Sequence, residues 1–140
     1  MNFVIGVLLV IHGVIVASQS SGSFAPPRGG VPNPSWVSWW PTNLGQSWLL
    51  SSVGLERMPF TTLVLLLNLA GGIALVAAGL SILGIIIPTG WWQTLAVTGA
   101  AISLFMLGIY LHPLYAVGIG TDIAILVALL WAQSPLTRLV

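Results

Sequence analysis

Four stretches of the chain run apolar for long enough to cross a bilayer, and short polar or Pro- and Gly-containing breaks separate the last three. Phe3 to Ala17 is interrupted only by His12; Phe60 to Ile87, Trp91 to Leu111 and Leu114 to Ala132 follow. A hydrocarbon core of about 30 Å takes roughly 20 residues of helix. Helical spans are therefore predicted near 3–18, 60–87, 91–111 and 114–133. Pro88-Thr89-Gly90 and His112-Pro113 stand between the last three runs. Proline disfavours helix at the residue before it, so both places read as turns. Turns this short make consecutive helices antiparallel neighbours. The pattern predicts an all-α fold, a four-helix integral membrane bundle in which residues 1–140 form one domain. The first run ends in Val16-Ala17-Ser18, as a secretory signal peptide would, but no Lys or Arg precedes it. It is read as a retained helix.

Residues 19–58 break the pattern. They open on Ser and Gly, pass through Pro26, Pro27, Pro32 and Pro34, and then become rich in tryptophan. Irregular backbone exposed to lipid leaves amides unsatisfied, so this loop is placed outside the hydrocarbon. Trp36, Trp39 and Trp40 have i, i+3, i+4 spacing, one face of a helical turn. Asn43 is placed as the cap of a short helix running to Arg57, with Leu44, Trp48, Leu49 and Leu55 as its apolar residues. Trp36, Trp39, Trp40 and Trp48 are expected at the headgroup level, with a docking surface for a partner as the sharper alternative. Trp91, Trp92 and Trp131 fit an aromatic belt. Asn33-Pro34-Ser35 has the outline of a glycosylation site, which the proline blocks.

Composition excludes several classes of function. Hydrophobic residues make up 57% of the chain and charged ones 4%, against about 25% charged in a soluble domain. The charges are Arg28, Arg57 and Arg138 against Glu56 and Asp122, with no lysine. Too few cations are present to neutralise a nucleic-acid backbone. The chain has no cysteine, which excludes disulfides, Cys-ligated zinc and iron–sulfur clusters. Arg138 and the terminal amine on one side balance Arg28 and Arg57 on the loop side, and a long lysine-free, Trp-rich loop is easily exported. The termini are therefore expected in the cytoplasm.

Small residues recur every fourth position. The last span has Ala116, Gly120, Ala124, Ala128 and Ala132; the second has Ala70, Ala74 and Ala78, with Gly71, Gly72 and Gly79 beside them; the third has Ala96 and Ala100 beside Gly99 and Ser103. Such rows let helix backbones approach closely in lipid. They are expected to pack the bundle internally, the alternatives being another protein's helix or a carotenoid, quinone or lipid tail.

Two ionisable side chains, His12 and Asp122, lie well inside the spans. At about 1.5 Å of rise per residue they fall roughly 9 and 12 Å below the loop face. Asn68 and Ser103 reach about the same level. Each span thus adds one polar group to a single layer, read as a hydrogen-bond network that fixes helix register or as a proton-sensitive or ligand-binding site. His12 and His112 differ by about 9 Å in depth, which disfavours paired haem ligation. One histidine, one aspartate and an amide lack the ligand density of a metal site. No nucleophile elbow, P-loop or dinucleotide fingerprint occurs. No catalytic residue, metal or cofactor is assigned.

Leu9-Val10-Ile11-His12-Gly13, the run Ala74 to Leu80, Gly90-Trp91-Trp92 and Asp122 to Leu126 together give the chain a pattern that resembles small, mostly uncharacterised bacterial four-helix membrane proteins, loosely DoxX-like. The resemblance implies a multi-pass protein of the bacterial cell membrane. The chain departs from DoxX proteins in its Pro- and Trp-rich loop and in lacking a cysteine pair. The expected function is that of a non-catalytic accessory subunit packed against a larger membrane complex, with energy-converting electron-transport or photosynthetic complexes as the analogy. The alternative is a small carrier or ligand-binding membrane protein.

Overall fold

The first apolar run folds as α1, Asn2–Gln19, in a computed structural model of the chain that describes residues 2–19, 30–55 and 60–131. The described residues also form a short helix, α2 (Trp48–Ser52), and three long ones: α3 (Phe60–Ile82), α4 (Trp92–Ile109) and α5 (Ala116–Leu126). A π turn, Val127–Trp131, extends α5. An isolated bridge between Val31 and Leu44 is the one β contact among the described residues. Four helical stretches, Asn2–Gln19, Thr62–Ile82, Thr89–Ile109 and Pro113–Leu130, are long and apolar enough to cross a membrane. At about 1.5 Å per residue each reaches close to the thickness of a hydrocarbon core. The expected all-α membrane bundle is the fold. Arg28, Glu56, Arg57, Ala132 and Arg138 lie outside the described residues.

The helix ends differ from expectation where glycine and proline chemistry is local. α3 stops at Ile82, not 87. Gly84 adopts φ +68°, Ile85 N–H donates to Leu80 O at 2.9 Å and Gly84 N–H to Ser81 O at 3.1 Å. This is a Schellman cap, which glycine permits by having no Cβ. A γ-turn follows, with Ile87 N–H bonded to Ile85 O across Ile86 at φ +66°. The apolar run Ile85-Ile86-Ile87 is therefore a turn. α4 likewise ends at Ile109, because His112 must be extended to precede Pro113. In the loop, Ser47 and not Asn43 caps the short helix: its hydroxyl accepts from Leu50 N–H at 2.9 Å. Gly45, at φ +80°, turns the chain between Asn43 and that helix.

The long helices pack mainly as sequential neighbours, α1 on α3, α3 on α4 and α4 on α5. Glycine sets the closest approach. A Cβ added at Gly72 would stand 2.5 Å from Ala17 N, and one at Gly79 2.5 Å from Gly6 O. Gly13 faces Gly72 O and Val76 N in the same way, so Gly6 and Gly13 on α1 meet Gly79 and Gly72 on α3. Gly99 on α4 approaches Gly71 O. This corrects the expected ridge on α3. Ala78 is buried, but Ala74 is half-buried and Ala70 exposed. Glycine lets two backbones come nearer than alanine does, and in lipid that gain in van der Waals contact decides which face turns inward. Ala96 and Ala100 on α4 are fully buried.

The row on α5 is a larger correction. Ala116, Gly120 and Ala124 are exposed and Ala128 is half-buried, and a Cβ at Gly120 would meet nothing within 4 Å. The row does not pack inside this bundle. α5 is seated instead through Gly118, which faces Leu107, and through Ile119, Ile125 and Leu126 against the apolar clusters.

Candidate functional site

The polar layer is built from one helix position in each span. Asp122 is fully buried and is the one Asp, Glu, Lys or Arg among the described residues. His12 Nε2 lies 2.8 Å from Asp122 Oδ1, a bond that ties α1 to α5 across 110 positions of sequence. Asn68 is also fully buried. Its Nδ2 donates to Val16 O at 2.6 Å, one helical turn along α1 from His12. Ser103 is fully buried on α4. The antiparallel register that seats Gly118 against Leu107 puts Asp122 level with Ser103, four residues further along α5 and four back along α4. Gly71 packs on Ile102 and Gly99, so Asn68, nearly one turn earlier on α3, comes level with Ser103.

Three oxygens of this layer form no hydrogen bond within the protein: Asn68 Oδ1, Ser103 Oγ and Asp122 Oδ2. Buried polar atoms are ordinarily bonded. The structure thus joins His12 directly to Asp122 and anchors Asn68 on the neighbouring turn of α1. It leaves one acceptor of Asn68, one of Asp122 and the Ser103 hydroxyl without a protein partner. Among the described residues no three His, Cys, Asp or Glu side chains gather as metal ligands would.

A second polar centre lies at the loop end, on residues the sequence left without a role. His112 is buried. Its Nδ1 accepts from Leu114 N–H at 3.2 Å, and its Nε2 lies 3.0 Å from Asn33 Oδ1. A backbone amide can only donate, so Nδ1 is bare and the proton is on Nε2. Burial lowers the His112 pKa below its ordinary value. Asn33 Nδ2 in turn donates to Thr42 O at 2.9 Å. The Asn33 that looked like a blocked glycosylation site is a clasp between loop and bundle.

The tryptophans divide accordingly. Trp36 and Trp39 are exposed at 65% and 69%. Trp40 is half-buried, edge-on to His112, with Nε1 donating to Thr42 Oγ1 and Leu111 O. Trp48 Nε1 donates to Gly108 O at 2.8 Å, and Ser47 Oγ to Ile109 O at 3.0 Å. The last carbonyls of a helix have no partner within it. Trp40, Ser47 and Trp48 supply donors at the end of α4, so Trp40 and Trp48 fasten the loop instead of forming one interfacial face with Trp36 and Trp39. The signal in the sequence was the loop's supply of donors opposite a helix terminated by His-Pro.

Fold and site together define a multi-pass, all-α membrane protein with one carboxyl side chain, Asp122, buried in its interior among the described residues. Comparison with protein-family models, with curated proteins and with solved structures returns no match.

Proposed function

We propose that the chain is a non-catalytic accessory subunit of a larger membrane assembly and that α5 is its contact helix. The observation that carries this reading is the face α5 presents outward. Of its residues only Asp122 is buried, while Ala116, Gly120 and Ala124 form an exposed row with open space at Gly120. Large apolar side chains satisfy lipid. A row of small ones leaves a groove whose best filling is another helix backbone. Exposed Trp36 and Trp39 at the loop end add amphipathic surface at the level where a partner's extramembrane part would stand. The DoxX-like resemblance supports the bacterial cell membrane as the setting.

Extraction in mild detergent tests this. The chain is expected to co-purify with larger subunits in fixed ratio. Gly120→Leu is expected to abolish that association while leaving the chain's helical content and melting unchanged, since the new side chain meets nothing in the bundle. A wild-type chain that purifies alone, or a Gly120→Leu chain that keeps its partners, would overturn the reading.

A further inference from the structure

We propose that the polar layer is a proton-binding site containing one internal water, with the His12–Asp122 pair as the proton's holder and Ser103 and Asn68 as the water's other ligands. The inference does not depend on whether α5 meets a partner. It starts from the three buried oxygens that have no hydrogen bond inside the protein, on α3, α4 and α5. Asn68 Oδ1 can only accept. A carboxylate Oδ2 can only accept. The Ser103 hydroxyl can donate. Two acceptors and one donor match a water molecule, which offers two hydrogens and takes one or two. Buried waters typically make about three such bonds to otherwise unsatisfied groups. Helix register brings these ligands to one level: Asp122 and Asn68 both level with Ser103, and both bonded to adjacent turns of α1.

Charge balance makes the site one for a proton. With neutral His12 and ionised Asp122 the layer carries one negative charge. One added proton cancels it, whether it rests on the imidazole or the carboxyl. No other group competes from the helices packed around Asp122. α3 and α4 have no titratable side chain along their length, α1 has only His12, and no lysine or arginine lies among the described residues. Tyr115, two turns earlier on α5's side, Tyr110, two turns beyond Ser103 on α4's side, and His112 between them are the ionisable groups toward the loop end. His12 is 12% exposed and Asp122 not at all. Exchange with the surroundings therefore runs through the imidazole, which takes up a proton on one side and shares it with Asp122 on the other. The water links Asp122 to α3 and α4, so the protonation state is communicated to three helices at once.

Infrared difference spectroscopy of the full chain in lipid, between mildly acid and mildly alkaline pH and in ordinary and oxygen-18 water, tests the proposal. The expected spectrum contains a titrating carboxyl–imidazole signal that is lost in Asp122→Asn and in His12→Gln. It is accompanied by an internal-water O–H band that shifts in oxygen-18 water and is lost in Ser103→Ala, with helical content unchanged. Ser103→Ala removes only a hydroxyl from a helix, so it carries the water test even if Asp122→Asn fails to fold. Measured with His112→Gln in every chain, so that His112 does not contribute, a titrating signal that survives in both His12→Gln and Asp122→Asn would overturn the proposal. So would a water band that Ser103→Ala leaves in place, or a response that follows replacement of sodium by choline and not pH.

Discussion

His112 shows how one side chain couples the loop to the bundle. Its ring bridges Leu114 N–H and the Asn33 amide and is packed edge-on between Trp40 and Tyr115. No charged side chain among the described residues faces it. The native fold needs Nδ1 bare, and burial lowers the pKa. On unfolding, the imidazole regains an ordinary pKa of about 6.5. The unfolded chain therefore binds the proton first as pH falls. Stability from this site is complete above about pH 6.5 and is lost as pH falls below that, through the lowered native pKa. Melting in detergent should fall on acidification, with a change in tryptophan emission from the loop. His112→Gln should flatten both responses. A wild-type chain whose melting and emission are level from neutral to mildly acid pH would remove His112 from this role.

At the scale of the helix pair, α1 and α3 are held by four glycines at matching seven-residue spacing. The backbone of one helix occupies the place where a Cβ of the other would stand, so even one methyl group forces separation along the whole contact. Gly72→Ala should destabilise the bundle by about 1–3 kcal/mol, the usual cost of overpacking. Gly90→Ala, in open space, serves as the control and should be close to neutral. Unfolding in detergent at fixed lipid content measures both. Equal stability of the two variants would show that the α1–α3 backbones are not in limiting contact. The same physics explains why Ala70 and Ala74 are not at the centre of the interface. Glycine outcompetes alanine when the two lie a residue or two apart on one helix.

The whole molecule is asymmetric from end to end. One end holds residues 30–55, clasped to the α4–α5 turn through Asn33, Trp40, Ser47 and Trp48. The other end, the α3–α4 turn, carries exposed Ile85, Ile86 and Trp91 and has only a short connection. Cysteine introduced at exposed Ser51 should react with an impermeant thiol reagent from one side of the membrane, and cysteine at exposed Gly90 from the other. Labelling of both from the same side would contradict the single crossing, by α3, between these ends. The polar layer lies in the half nearer the loop, since His12 is seven residues from the loop end of α1, roughly 10 Å along the axis.

The number of long apolar helices and the positions of His12, Asn68, Ser103 and Asp122 along them were legible in the sequence because length, apolarity and helical rise fix distance along a helix axis. The direction in which each residue faces was not. A membrane helix is apolar all round, so it lacks the polar-to-apolar contrast that orients a helix in a water-soluble protein. Facing was decided by shape. Gly72 and Gly79, not the Ala70–Ala74–Ala78 row, lie at the α1 contact, and the Ala116–Gly120–Ala124 row turns outward. The pairing of His12 with Asp122, and of His112 with Asn33, required helices and loop to be brought together from 110 and 79 positions apart. Local sequence carries no signal of such a meeting. It exists because a buried carboxyl and a buried imidazole each need a partner, and the packed bundle determines which one is within reach.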